Sequence, residues 1–299
     1  MTLQQLKYVV TVAECCNITE AAKQLFVSQP TVTSAIHDLE KEMQIVIFIR
    51  TNKGVILSED GERFLGHARQ VLEQVDLIEG IYKDDVVSKP HFAVSCQHYS
   101  FAVNAFVDVI RRFDAYQYDF TIREEQTHEI IEDVTNLKSE LGFIYLSSKN
   151  TEVLSKMLKR NELEFTELFT ATPHVFICDS HPLASKNSIT MDDLQDYPYL
   201  TYEQGEYNSQ YFSEEFVSTL DSRKNIRVRD RATLFNLIIG LNGYTVCSGV
   251  ISAELNGRNI ISKPLDVDEY MRIGIISRKG VVLSRYAREY IEALKAHCM

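Results

Sequence analysis

Residues 21–40 read AAKQLFVSQPTVTSAIHDLE, a stretch that keeps one helical face apolar while filling the other with Gln, Thr and Ser. From Gln29 onward, Val32, Ala35, Ile36, Leu39 and Met43 recur at i, i+3, i+4, i+7 and i+11, which defines a buried face. Gln29, Thr31, Thr33, Ser34 and His37 fall opposite. A surface that only had to dissolve would carry Lys and Glu, so short uncharged hydrogen-bonding side chains suit a face that is read. Ser28 before Gln29-Pro30 is a helix start signal, because Ser accepts from the orphan amides and Pro is tolerated in a first turn.

Working outward, Thr19 is expected to cap a short preceding helix with Ala21, Ala22 and Leu25 turned inward, and Phe26-Val27 make the turn. Leu3, Leu6, Val9, Val10 and Ala13 predict a first helix from about Thr2 to Cys15. Two helices joined by a tight turn, the first rich in small residues, form a helix-turn-helix. The second helix of such a unit lies in the major groove of double-stranded DNA with its N-terminal residues at base edges. Gln bonds bidentately to adenine, Ser and Thr to several bases, and the Thr methyl touches that of thymine.

Affinity should come from Lys and Arg at phosphates, and the supply is thin. Residues 1–60 carry Lys7, Lys23, Lys41, Arg50 and Lys53 against seven Asp or Glu, and the whole 299-residue chain has a formal net charge of -11. Modest single-site affinity is expected.

The sequence AAKQLFVSQPTVTSAIHDLEKEM (21–43), followed by IFIRTNKGVILSEDGERFL (47–65), resembles the N-terminal winged helix-turn-helix of LysR-type transcriptional regulators (LTTR). The likeness rests on the Ala pair, the SQP start, the Leu39-Glu40 pair, the Phe-x-Arg-Thr wing strand and Ser-x-x-Gly leading into a long helix. It implies that Gln29, Pro30, Thr31, Thr33, Ser34 and His37 meet the groove while Arg50, Asn52 and Lys53 hold phosphate. Cys16 and Gln44 occupy helix-ending positions where the family usually has Gly. A residue other than Gly in a left-handed cap costs about 1 kcal/mol, so local differences are expected at those turns.

Ser58 is a good cap for the next helix, and Glu59, Asp60 and Glu62 place negative charge at its positive end. Phe64, Leu65, Ala68, Val71, Leu72, Val75 and Ile78 then recur by threes and fours to about Tyr82. So narrow a stripe on so long a helix predicts a coiled-coil dimerisation element, the alternative being a helix packed on its own domain. Linking two modules makes the second DNA contact intramolecular and multiplies weak affinities. The resemblance implies a homodimer or homotetramer.

After the polar KDDVVSKP (83–90) the pattern changes to alternation. HFAVSC, YDFTIRE and ELGFIYL read as strands, with YSFAVNAFVDVIRRF and THEIIEDVTNLKS as helices between them. A second block follows: ELFTATPHVFICD, DYPYLTYEQG, a helix YNSQYFSEEFVSTL, NIRVRD, a helix RATLFNLIIGLN and GYTVCSGVIS, before a strand EYMRIGIIS and a closing helix SRYAREYIEALKAH. Such alternation predicts parallel sheets. The resemblance implies two α/β lobes of periplasmic-binding-protein type. The expected architecture is an α+β multidomain chain: a winged helix-turn-helix at 1–58, a linker helix and hinge at 59–87, and an effector-binding domain at 88–299, lobe I being 88–163 with 267–299 and lobe II 164–266.

Ligands in such folds bind at the C-terminal ends of strands, where helix N-termini offer amides to anions. The family places effector contacts at these corners, which here supply Cys96, Gln97, His98, Tyr99, Ser100, Thr127, His128, Thr201, Tyr202, Thr233 and Ser248. A small anionic or zwitterionic effector is expected, and whole-chain similarity points toward amino-acid or sulfur-metabolite regulators. His98 and His128 can be read as oxyanion contacts, as a pH-sensitive site, or as plain loop polarity. Cys96 beside His98 raises metal or thiol sensing, yet two donors do not make a zinc site. The six cysteines show no CxxC spacing, and reduced thiols are the default.

No cofactor, metal or catalytic residue is expected. The chain has no Gly-rich phosphate loop, HExxH or GxSxG, which argues against an enzyme. The start MTLQQLKYVVTVAE lacks the features of a signal peptide, and no apolar run approaches the ~18 residues of a spanning helix, so a cytoplasmic protein without a membrane partner is expected. The lobes alone would also suit a solute-binding protein, which the reading module opposes.

Overall fold

The computed structural model describes residues 1–51, 54–82, 90–113, 118–205, 211–215, 224–251 and 257–298. They fall into two compact units, the first Met1–Pro90 with Asn136–Lys138 and the second His91–Thr135 with Ser139–Met299.

In the first unit, helices α1 (Leu3–Cys15), α2 (Ile18–Gln24) and α3 (Gln29–Met43) precede a hairpin of β1 (Phe48–Thr51) and β2 (Gly54–Leu57), then the long α4 (Glu59–Tyr82). Tyr8, Val9, Val12, Ala21, Ala22, Val32, Ile36, Leu39, Ile47, Val55 and Leu65 make one core. Leu3 and Met43, expected on the buried stripes, are exposed because each lies in the terminal turn of its helix. The cap of α2 is Asn17 rather than Thr19: its side chain accepts from Thr19 N at 2.9 Å and Glu20 N at 3.2 Å. Ser28 caps α3 through Thr31 N at 3.3 Å. Cys16 and Gln44 do not reshape their turns; they adopt the left-handed caps themselves, at φ 50° and 56°.

The wing is pinned at both ends by glycine. Gly54 has φ +139°, and a Cβ there would lie 2.3 Å from the Cys16 carbonyl oxygen. At Gly61, in the first turn of α4, a Cβ would meet the Ile47 carbonyl oxygen at 2.1 Å. Residues 83–89 of the expected hinge stretch KDDVVSKP, and the wing-tip residues Asn52 and Lys53, lie outside the described residues.

The second unit has a five-stranded sheet in the order β4 (Asp119–Glu124), β3 (His91–Cys96), β5 (Leu141–Leu146), β12 (Met271–Arg278), β6 (Leu163–Ala171). β3 runs parallel to β4 and β5, whereas β12 is antiparallel to β5 and β6, so the sheet is mixed rather than all parallel. Phe143 and Tyr145 of β5 face a core with α5 (Ser100–Arg112) and α9 (Arg285–Cys298). Ile144 and Leu146 face the other, with α6 (Thr127–Thr135) and α7 (Thr151–Arg160). The expected lobe boundary after residue 163 falls inside β6, which pairs with β12 along its length, so the sheet of the first lobe continues to Ala171.

The second lobe is built on β7 (His174–Cys178), flanked antiparallel by β10 (Thr245–Cys247) and β11 (Ile260–Pro264), with β8 (Tyr199–Tyr202) parallel to β9 (Asn225–Val228). Val175 and Ile177 enter one core; Phe176 and Cys178 enter the other, under α8 (Arg231–Leu241). α7 and β11 were not anticipated. The helix expected over YNSQYFSEEFVSTL lies mostly outside the described residues.

Candidate functional site

Two surfaces carry the residues singled out in the sequence, one in each unit. On α3, Gln29, Pro30, Thr31, Ser34 and His37 are exposed and Thr33 is half-buried. Gln29 Nε2 donates to Thr33 Oγ1 at 3.2 Å, and the Ser28 and Thr31 hydroxyls are 2.7 Å apart. These groups satisfy one another in the free chain and can exchange those bonds for base edges. Arg50 on β1 is exposed and borders, with Thr33, His37 and Glu40, a concavity of about 550 Å³ between α3 and the wing. Glu40 fixes that geometry: its Oε1 accepts from Ile47 N at 2.7 Å and Phe48 N at 3.1 Å.

In the second unit a cavity of about 490 Å³, counted to its open mouth, lies where strand ends meet helix starts. Its polar wall is His98, Tyr99 and Ser100 after β3, Tyr202 at the end of β8, Glu214 and Glu215, Arg231 at the start of α8, and Thr245, Cys247 and Ser248 around β10. Phe176, Leu234, Phe235, Val246 and Val250 supply its apolar side.

His98 is the best-fixed group. Its Nδ1 lies 2.8 Å from Glu214 Oε2 and its Nε2 3.1 Å from the Arg229 carbonyl oxygen, with both side chains of the ion pair about 5% exposed or less. The His98 amide donates to the same Glu214 oxygen at 3.0 Å. Both ring nitrogens face acceptors, so the ring donates twice and is an imidazolium. Burial by itself favours the neutral ring, but the Glu214 carboxylate outweighs it and the pKa of His98 is raised. The Tyr202 ring stacks on the imidazolium at 3.9 Å between centroids and 7° between planes.

Glu215 is 2% exposed. It accepts from Tyr202 N at 2.6 Å and Ser213 Oγ at 2.9 Å. Burial, reinforced by the neighbouring Glu214, pushes its carboxyl up to about 8. Arg231 Nη2 lies 2.9 Å from Glu124 Oε1, an ion pair without hydrogen-bond alignment.

Of the eleven effector residues expected, His98, Tyr99, Ser100, Tyr202 and Ser248 line the cavity. Gln97 and Thr127 lie behind the wall in a buried chain: Gln97 Nε2 donates to Thr127 Oγ1 at 2.7 Å, Thr127 N donates to Gln204 Oε1 at 3.1 Å, and Gln204 Nε2 donates to Glu214 Oε1 at 3.2 Å. Cys96 is fully buried in the first core, and burial holds its thiol well above the usual range. His128 sits beside Glu132 at 3.6 Å, Thr201 lies within β8, and Thr233 is bonded to the Asp230 cap of α8. Glu214, Glu215, Arg231, Thr245 and Cys247 were missed. Arg231 stands two residues before the expected Thr233, but the two glutamates fall in a stretch read as a helix away from the strand ends, and only the fold brings them to the cavity.

Among the described residues, no group of three or more His, Cys, Asp or Glu is placed to hold a metal, and no helix is long and apolar enough to cross a membrane.

Comparison with known proteins covers both units. The family model for "Bacterial regulatory helix-turn-helix protein, lysR family" matches residues 3–62, and that for "LysR substrate binding domain" matches residues 95–299. The chain is similar to the DNA-binding transcriptional dual regulator OxyR of Escherichia coli K12, at 24% identity over 99% of this chain and 95% of that protein. It is 29% identical to the regulator CysB of Burkholderia cenocepacia over 68% of this chain and 63% of CysB. Among solved structures, a full-length OxyR variant from Pseudomonas aeruginosa superposes with a TM-score of 0.67 at 22% identity, over 99% of this chain and 95% of that one.

Proposed function

The chain belongs to the LysR family of bacterial regulatory helix-turn-helix proteins, and we propose that it regulates transcription by binding operator DNA through α3 and the wing, in response to a small molecule held in the cavity of the second unit. The family is one of regulators, not enzymes. The observation that carries the reading is the α3 face, where the Gln29 side chain donates to Thr33 Oγ1 and both stand beside Thr31, Ser34 and His37. Base readout falls to Gln29, Pro30, Thr31, Thr33, Ser34 and His37, and phosphate contact to Arg50, Asn52 and Lys53. The effector occupies the crevice walled by His98, Tyr99, Ser100, Tyr202 and Ser248, and it changes DNA affinity by binding two assemblies unequally. Such a protein works in the cytoplasm.

Oligomerisation through α4 fits its surface. Val71 and Ile78, seven residues apart, are 41% and 58% exposed, the spacing a helix partner would cover.

The test is titration of operator DNA at several salt concentrations. Arg50→Ala should weaken all sequences alike and lower the salt slope by about 1, while Thr33→Ala should relax selectivity at particular bases. A sequence-selective loss in Arg50→Ala, with unchanged selectivity in Thr33→Ala, would reverse the assignment. Thiol sensing is less well supported, since burial pushes the thiols of Cys96 and Cys247 up, away from the reactive thiolate.

A further inference from the structure

We propose that the cavity of the second unit takes a small amino acid with an apolar side chain, its carboxylate at Arg231, Tyr99 and Thr245 and its ammonium at the Glu214–Glu215 pair, and that binding expels a proton from that pair. The inference rests on the cavity being the effector site.

Three buried polar atoms on the wall, Arg231 Nη1, Tyr99 Oη and Thr245 Oγ1, have no hydrogen-bond partner among the described residues. Tyr99 is 8% exposed and Thr245 4%. Leaving such groups unpaired costs about 1–3 kcal/mol each, and a bound carboxylate would take up a guanidinium donor and two hydroxyl donors together. On the same wall two glutamates adjacent in sequence are buried side by side. Glu214 Oε2 already accepts from His98 twice, but Glu214 Oε1, which accepts from Gln204, and the two Glu215 oxygens, which accept from Tyr202 N and Ser213, each retain capacity for a second donor. Phe176, Leu234 and Phe235 offer an apolar surface beside these groups.

The placement of the charges selects a zwitterion. The His98 imidazolium is paired with Glu214, and Arg231 with Glu124. Tyr99, Tyr145, Tyr199 and Tyr202 surround Glu215 as neutral phenols, because burial raises each of them. Glu215, raised to about 8, therefore carries a proton at pH 7. A ligand bearing only a carboxylate would leave the Glu214–Glu215 end without a cation, whereas a zwitterion sets its ammonium against the carboxylate that forms there. An ammonium brought beside Glu215 favours its carboxylate, so the carboxylic acid loses its proton to solvent as the ammonium–carboxylate pair forms.

The experiment is isothermal titration calorimetry of the full chain with L-leucine, L-methionine and L-phenylalanine at pH 7, in buffers of differing ionisation enthalpy. At least one should bind with release of up to about one proton per site, as a group with a pKa near 8 allows. Its deaminated counterpart (4-methylpentanoate for leucine) should bind at least tenfold more weakly and release none. Glu215→Gln, whose amide oxygen can accept from Tyr202 N while its NH2 donates to Ser213 Oγ, should bind without proton release. Binding of none of the three, release-free binding of the amino acid, or equal binding of the deaminated acid would overturn the proposal. Thr245→Val separates the two levels. If it weakens the deaminated acid, the cavity remains the effector site and only its ammonium end falls. If every probe binds elsewhere, unaffected by Thr245→Val, the cavity reading falls as well.

Discussion

Gln44 ends α3 at φ 56°, a conformation that L side chains reach only at a cost. Gln44→Gly should therefore raise the stability of the first unit by a few tenths to about 1 kcal/mol, the strain relieved being partly offset by the freer unfolded chain; a fall in chemical-denaturation midpoint would contradict this. Gly61 is the opposite case. Gly61→Ala drives a methyl into the Ile47 carbonyl, and a loss of about 2 kcal/mol or more is expected from overpacking against backbone. At His98 and Glu215 the proton decides. Both folded-state pKa values lie above their ordinary ones, so both groups stabilise the fold fully below their unfolded pKa and lose that contribution as pH rises through the folded value. For Glu215 the window runs from about 4.5 to about 8. The melting temperature should decline across it, and Glu215→Gln should flatten the decline; an unchanged slope would remove Glu215 from the explanation.

Elements were legible where a period and a cap coincided. α3 shows both in Ser28-Gln29-Pro30 and the Val32, Ile36, Leu39 stripe, and its limits follow from them. α7 buries only Leu154 and Leu158 among charged residues and has no side-chain cap bond, so its stripe is too sparse to stand out. The antiparallel course of β12 and β6 was invisible, since alternation of strands and helices says nothing of a strand that returns from another lobe. The cavity was half legible for the same reason. Corners adjacent in sequence gave His98, Tyr99, Ser100, Tyr202 and Ser248, while Glu214, Glu215 and Thr245 reach the wall through tertiary folding. At this scale α4 makes a direct prediction. Ile78→Glu places a charge on an exposed apolar position, and sedimentation should show the dimer weakened at least tenfold, with the first unit as stable as before. An unchanged assembly would take α4 out of the interface.

For the whole molecule the difficulty is charge, because a chain of net charge -11 has to bind a polyanion. Base readout by uncharged side chains supplies selectivity but little affinity, so two linked modules are needed to hold one operator. A two-fold dimer in turn demands an inverted repeat with half-sites separated by whole helical turns. The most direct measurement is selection of bound sequences from a random duplex pool by the full chain, run in parallel with Gln29→Ala and Thr33→Ala. An inverted-repeat motif whose preferences relax at particular base pairs in the variants is the expected result. Enrichment of no sequence, or of one motif identical in all three proteins, would contradict recognition of DNA by this face of α3.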